Sequence, residues 1–142
     1  DWSLAMATVT GEGKMLARIR PLLERSDVLF ALPDPEVYQR DTLQAILLSA
    51  YRHRVPMMGF SRNTVRAGAL LAVYSTPAQL GRQLGRVVAD YLGGGPPPAG
   101  VLYPERYRVA VNRQVARSLN LPIPPAEQLH ADMQAAEESA PP

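Results

Sequence analysis

Val55–Thr76, VPMMGFSRNTVRAGALLAVYST, holds two short apolar runs joined by a polar, glycine-containing crossover. Val55 to Phe60 is bounded by His53 and Arg54 before it and by Ser61, Arg62 and Asn63 after it. Leu70 to Tyr74 repeats the pattern and ends at Ser75 and Thr76. Continuous apolar runs of this length, closed off by polar residues, are expected of central parallel strands buried on both faces. In open α/β sheets the carboxyl ends of such strands line the crevice where ligands bind. The first place to look for function is therefore Ser61, Arg62 and Asn63, together with Ser75 and Thr76.

Working upstream, Val28 to Leu32 is another buried run, leading into Pro33-Asp34-Pro35. Between it and Val55, the spacing of Val37, Leu43, Ile46, Leu47, Ala50 and Tyr51 predicts an amphipathic helix over residues 36–54. Arg52-His53-Arg54 at its end complements the negative helix terminus. Trp2 to Val9 is apolar and partly β-branched, as expected of a first strand, and residues 10–13 form a turn. Met15, Leu16, Ile19, Leu22 and Leu23 then share one helical face, with Pro21 expected to kink that helix or begin a second one.

Working downstream, a short helix is expected over residues 63–67, stopped by Gly68, and Pro77 opens a long helix at a favoured first position. Leu80, Leu84, Val87, Val88 and Leu92 give that helix an apolar face, expected to be buried, and Gly81 and Gly85 are spaced to let it lie close to the sheet. Gly93 to Gly100, GGGPPPAG, reads as a flexible pivot followed by a stiff extended segment. Beyond it, Tyr107–Val111 alternates like a strand, Asn112 can cap a helix, and Val115, Ala116 and Leu119 give that helix an apolar side. A last helix is expected over residues 126–136, followed by a disordered polar tail. Strands alternating with helices predict the α/β class, a small doubly wound parallel sheet with flanking helices.

Composition narrows the functions. At 142 residues the chain fits one compact unit with a real core. The absence of cysteine removes thiolate metal sites, disulfides and thiol chemistry. No run approaches the roughly 18 apolar residues of a membrane span. The net charge is +2, but Lys14 is the only lysine and the arginines are scattered, so no basic stripe with interleaved aromatics marks a nucleic-acid interface. Asp1-Trp2-Ser3-Leu4, with neither an initiator methionine nor a basic-then-apolar leader, is expected of a cut or processed chain.

Chemistry-bearing motifs are few. There is no Walker loop, dinucleotide glycine fingerprint, nucleophile elbow or metal-spaced histidine pair, so neither a cofactor nor catalysis is expected. His53 and His130 are far apart in sequence and read as helix-end or surface residues. Asp34 ends a buried strand, where a carboxylate either caps the following turn or meets a ligand, a bound amine being its natural partner. Ser61, Ser75 and Thr76 either cap helices or hydrogen-bond a small polar ligand. Arg62 can hold a carboxylate in a bidentate fork, and the Tyr38 ring can wall a pocket.

Three segments in this order, DVLFALPDPEVY (27–38), VPMMGFSRNTVRAGALLAVYSTPAQLGRQ (55–83) and RYRVAVNRQVARSLNLPIP (106–124), carry a resemblance. The chain resembles the carboxyl-terminal half of ABC-transporter substrate-binding proteins, in the group that includes tryptophan- and phenylalanine-binding types with the type I periplasmic-binding fold. The resemblance runs from about Ser26 to Pro124. Its most specific pieces are Asp34, the AGAL segment, the glycine-marked helix after Pro77 and the VN-x3-A-x-x-L ending. One departure is plain: the family's aromatic amino-acid binders carry a Gly-Asp-Tyr type sequence where this chain has Tyr74-Ser75-Thr76-Pro77, so the acidic group there is absent.

The resemblance implies one α/β lobe (1–95), a strand and helix returning to a hinge (96–125) and a carboxyl-terminal helix and tail (126–142). It implies a non-enzymatic, exported and periplasmic solute-binding component. Asp34, Ser61 and the Ser75-Thr76 corner correspond to cleft-facing loops, with Tyr38 and Arg62 beside them. The implied partners are a small-molecule solute, a missing N-terminal lobe, and an ABC permease or a sensor protein. The Val115, Ala116, Leu119 face, left without its partner lobe, would invite a homodimer. The alternative is a non-catalytic regulatory or dimerisation domain with a flavodoxin-like fold. As a phosphoacceptor receiver it would need an acidic cluster with a lysine near the strand ends, and Asp34 has no such company.

Overall fold

The computed structural model describes residues 3–6 and 15–139. In order these form α1 (Met15–Leu23), β1 (Leu29–Phe30), α2 (Arg40–Arg52), β2 (Met57–Gly59), α3 (Arg62–Ala67), β3 (Leu71–Tyr74), α4 (Pro77–Leu92), β4 (Arg108–Val111), α5 (Arg113–Ser118) and α6 (Ala126–Ser139). The α/β class read from the sequence holds. One four-stranded sheet runs in the order β1-β2-β3-β4, with β1, β2 and β3 parallel.

Two features of the sheet depart from the expected doubly wound parallel layer. β4 is antiparallel to β3, pairing Tyr74 with Arg108 and Leu71 with Val111, so the sheet is mixed. The strand order is sequential, with no reversal among the described residues. The physical reason for the first is the connection: α4 and the glycine- and proline-rich segment return the chain to the carboxyl end of β3, where it can only run back. Of the expected Trp2–Val9 strand, residues 3–6 are irregular and exposed, and the rest lies outside the described residues.

The core lies on one face of the sheet. Leu29, Ala31 and Met57 point into it, and Ile19 and Leu23 of α1 and Ile46, Leu47 and Ala50 of α2 close over them. Pro21 sits inside α1 without splitting it. The missing proline N–H leaves only Ala17 O without its donor from four residues on, and the helix ends two residues later. α2 begins at Arg40, later than its apolar spacing predicts, because residues 35–37 form a turn fixed by Asp34 and its flanking prolines.

α3 is locked against β2 by a close approach. A Cβ on Gly59 would fall 2.2 Å from Thr64 Oγ1, so only glycine lets the buried Thr64 sit there. Asn112 then ties the end of β4 to α3. Its Oδ1 accepts from the Gln114 and Val115 amides to cap α5, and its Nδ2 donates to Val65 O of α3.

Two faces read from the sequence change partners. Ala116 and Leu119, expected to be left open, are buried within the lobe. α4, whose apolar face was expected to be covered, buries no residue at all. Nothing lies within 4 Å of a Cβ built on Gly81 or Gly85, so those glycines do not bring α4 onto the sheet. α4 is held instead by polar bonds to residues 103–105. Gln83 Nε2 donates to Tyr103 O at 2.8 Å, Gln83 Oε1 accepts from the Glu105 amide at 3.1 Å, and Arg86 pairs with Glu105. α6 packs on β4 and reaches Ser139, beyond the expected end; residues 140–142 lie outside the described residues.

Candidate binding edge

Three neighbouring parallel strands place their carboxyl ends on one edge of the sheet. The corners after β1, β2 and β3 therefore lie side by side, about 5 Å apart from strand to strand. All six candidate residues fall on these corners or at the start of the element that follows. Their side chains are committed to different degrees.

The β1 corner carries Asp34. Its Oδ1 accepts from the Glu36 amide at 2.8 Å and the Val37 amide at 3.1 Å, and its carbonyl accepts from the Tyr38 amide at 2.9 Å. One carboxylate oxygen thus holds the turn. Oδ2 has no hydrogen-bond donor among the described residues, so the charge stays available at the edge. Tyr38, brought round by that turn, sets its ring 5.3 Å from the Phe60 ring at 58°. Burial raises the Tyr38 phenol above its ordinary value, and the Asp34 carboxylate raises it further, so the group remains a neutral hydroxyl. Phe60 was read only as a strand residue. The available signal was its place as the last apolar residue before a polar corner.

The β2 corner carries Ser61 and Arg62. Ser61 caps α3: its Oγ accepts from the Thr64 amide at 3.1 Å, and Thr64 Oγ1 accepts from the Ser61 amide at 3.2 Å. This reciprocal pair satisfies two amides that the helix leaves open. Arg62 follows on the exposed first turn and forms no ion pair among the described residues.

The β3 corner is more fully engaged. Ser75 Oγ donates to Arg106 O at 2.8 Å, fastening the returning chain to the tip of β3. Thr76 caps α4, accepting from the Gln79 amide at 3.2 Å while Gln79 Oε1 accepts from the Thr76 amide at 2.8 Å. The hydroxyls of Ser61, Ser75 and Thr76 are thus used within the fold. Asp34 and Arg62 are the charged groups exposed at the edge, and the half-buried Tyr38–Phe60 pair packs against the core beside them.

The two histidines lie elsewhere. His53 Nδ1 sits 2.8 Å from Ser49 O at the end of α2. His130 of α6 meets the Tyr107 ring edge-on at 5.0 Å, beside a pocket of about 190 Å³ lined by Tyr107, Arg108, Val109, Ala126, Glu127 and His130. That volume is below the roughly 300 Å³ at which ligand pockets begin, and no candidate residue lines it. Among the described residues no group of three histidine or acidic side chains could hold a metal ion. No described helix is long and apolar enough to cross a membrane.

Three parallel strand tips on one edge and an antiparallel return strand give an α/β fold that is similar to parts of solved substrate-binding proteins. A conserved domain protein from Vibrio cholerae O1 biovar El Tor matches with a TM-score of 0.61 and 25% identity, over 87% of this chain and 41% of that one. A ligand-free, open substrate-binding protein with adhesive properties from Clostridium difficile matches with a TM-score of 0.62 and 20% identity, over 84% and 40%. An ABC domain from Streptococcus pneumoniae in complex with L-Trp matches at 0.57 and 18%, over 78% and 37%. The resemblance read from the sequence is borne out at the level of fold. No protein-family model matches the chain, and no curated protein does. The chain spans about two fifths of the length of these solved chains.

Proposed function

We propose that this chain is the second lobe of a two-lobed solute-binding protein in an ABC-type uptake or envelope sensing system, taking a small polar ligand between its lobes. The observation that carries the reading is the edge itself. Three strand corners lie side by side and leave Asp34 Oδ2 and the Arg62 guanidinium without partners among the described residues, as expected where a facing lobe completes the site and expels water on closure. Two of the similar solved proteins, a substrate-binding protein and an L-Trp complex, support solute binding in this fold.

In this reading Asp34 Oδ2 meets an amine of the solute, Arg62 meets a carboxylate or another anionic group, and Tyr38 with Phe60 walls the apolar part. Ser61, Ser75 and Thr76 act by holding the corners in place, and their backbone groups line the edge. Residues 96–125 return to the hinge. The protein works outside the cytoplasmic membrane, exported and periplasmic, and hands its solute to a permease or reports it to a sensor. It performs no catalysis.

Calorimetry on the full polypeptide, titrated with amino acids, short peptides and nucleosides, tests this. Heat with at least one class, reduced about tenfold or more in affinity by Asp34→Asn, is the expected result. No heat with any of them would overturn solute binding.

A further inference from the structure

The corner after β3 holds a charged residue that comes from a distant part of the chain. Ser75 Oγ donates to the main-chain oxygen of Arg106 at 2.8 Å, and the β3–β4 register, with Tyr74 opposite Arg108, puts Arg106 just past the carboxyl end of β3. Arg106 is exposed, and its neighbour Glu105 is taken up by Arg86 of α4. Tyr74, Ser75, Thr76 and Pro77 are all uncharged, so this corner has no acidic side chain of its own to neutralise it. Among the described residues neither Arg62 nor Arg106 forms an ion pair. From β1 to β3 the three corners therefore carry one carboxylate and two guanidinium groups: Asp34, Arg62 and Arg106. Glu36 and Arg40 follow Asp34 along the chain and add one charge of each sign, which leaves the excess positive. The outer two corners are two strand spacings apart, about 10 Å.

We propose that Arg106 is a specificity-determining residue of this edge, and that the solute carries one cationic and two anionic groups, in its simplest form an amino dicarboxylate. The inference rests on the solute-binding reading above and narrows it. Closure over the edge takes all three charges out of water, and a charge enclosed without a partner is costly. A neutral amino acid meets Asp34 with its amine and Arg62 with its carboxylate, and leaves Arg106 unmet. A second carboxylate completes the set. The guanidinium fork takes a carboxylate in two parallel hydrogen bonds, so the β3 corner selects for geometry as well as for charge. Sequence spacing hides the residue, because 31 positions separate it from the serine that fastens it there.

Calorimetry on the full polypeptide with L-aspartate and L-glutamate, each set against its own side-chain amide, is the test. Acid and amide have nearly the same shape and differ by one negative charge. At least one acid is expected to bind about tenfold or more tighter than its amide. Arg106→Gln should bring that acid to within about threefold of the amide. The same substitution should leave the amide's affinity and the melting temperature unchanged, because Ser75 bonds the main chain of Arg106 and not its side chain. An equal loss for acid and amide would show that Arg106 only supports the corner, and overturns the proposal. So does an acid that binds no better than its amide, an acid affinity indifferent to Arg106→Gln, or heat with other solutes and none with either acid. No heat with any amino acid, short peptide or nucleoside overturns solute binding itself, and the role of Arg106 with it.

Discussion

α2 and α4 have much the same sequence grammar and opposite fates. Each repeats apolar residues at helical spacing with arginines on the other side. α2 buries Ile46, Leu47 and Ala50 under α1 and against the sheet, while α4 buries nothing. The difference lies in what each face meets. α2 is a crossover between two adjacent parallel strands, so its apolar stripe is drawn onto the sheet by the connections at both ends. α4 leads from β3 into a long glycine- and proline-rich segment, and among the described residues it is tied by polar bonds to Tyr103 and Glu105 beyond that segment. Periodicity establishes that a helix has a face to bury. Topology decides whether this chain supplies the partner.

The largest effect that could break this contrast is in the core. Ile46 is fully buried, so Ile46→Ala should cost about 3–4 kcal/mol in a denaturant titration. Leu84→Ala should change stability by less than about 0.5 kcal/mol. Comparable losses would mean that α4 is packed in solution. The glycines sharpen the same point with a change of sign. Gly59→Ala puts a methyl 2.2 Å from Thr64 Oγ1, inside a capping box whose atoms cannot easily give way, and should destabilise by about 1–3 kcal/mol. Gly85→Ala adds a methyl in open space and should stabilise the exposed helix by about 0.5–1 kcal/mol, read as a higher melting temperature.

The sequence made the central strands legible because they are written as continuous apolar runs closed by polar residues, although their faces are unequally covered: Met57 and Gly59 are buried and Met58 between them is half-buried. Val55–Phe60 and Leu70–Tyr74 enclose β2 and β3, and the polar residues after them mark the shared edge. It could not show the direction of β4. Alternation in Tyr107–Val111 is the same for either orientation, and only the route of the preceding segment decides. Nor could it separate the two roles of the corner hydroxyls. Ser61 and Thr76 stand three residues before Thr64 and Gln79, a spacing that fits both a capping box and a ligand loop. The pair Tyr38–Phe60 was half visible: one ring comes from a turn and the other from a strand end, and nothing in their spacing says that they meet.

Asp34 stands between the packed half of the molecule and the open edge, and its two carboxylate oxygens can be tested apart. Oδ1 holds the turn through two amides, a task that an asparagine oxygen performs equally well. Asp34→Ala removes that acceptor and should cost about 1 kcal/mol, with loosening of the Tyr38–Phe60 pair visible in Tyr38 side-chain NMR shifts. Asp34→Asn keeps the acceptor and removes only the charge, so stability should move by no more than a few tenths of a kcal/mol. If Asn costs as much as Ala, the carboxylate's charge is structural and the outward oxygen has no ligand to meet. If Asn is silent in stability but lowers the affinity for an amine-bearing solute, the charge at this corner serves recognition, while the geometry that presents it belongs to the fold.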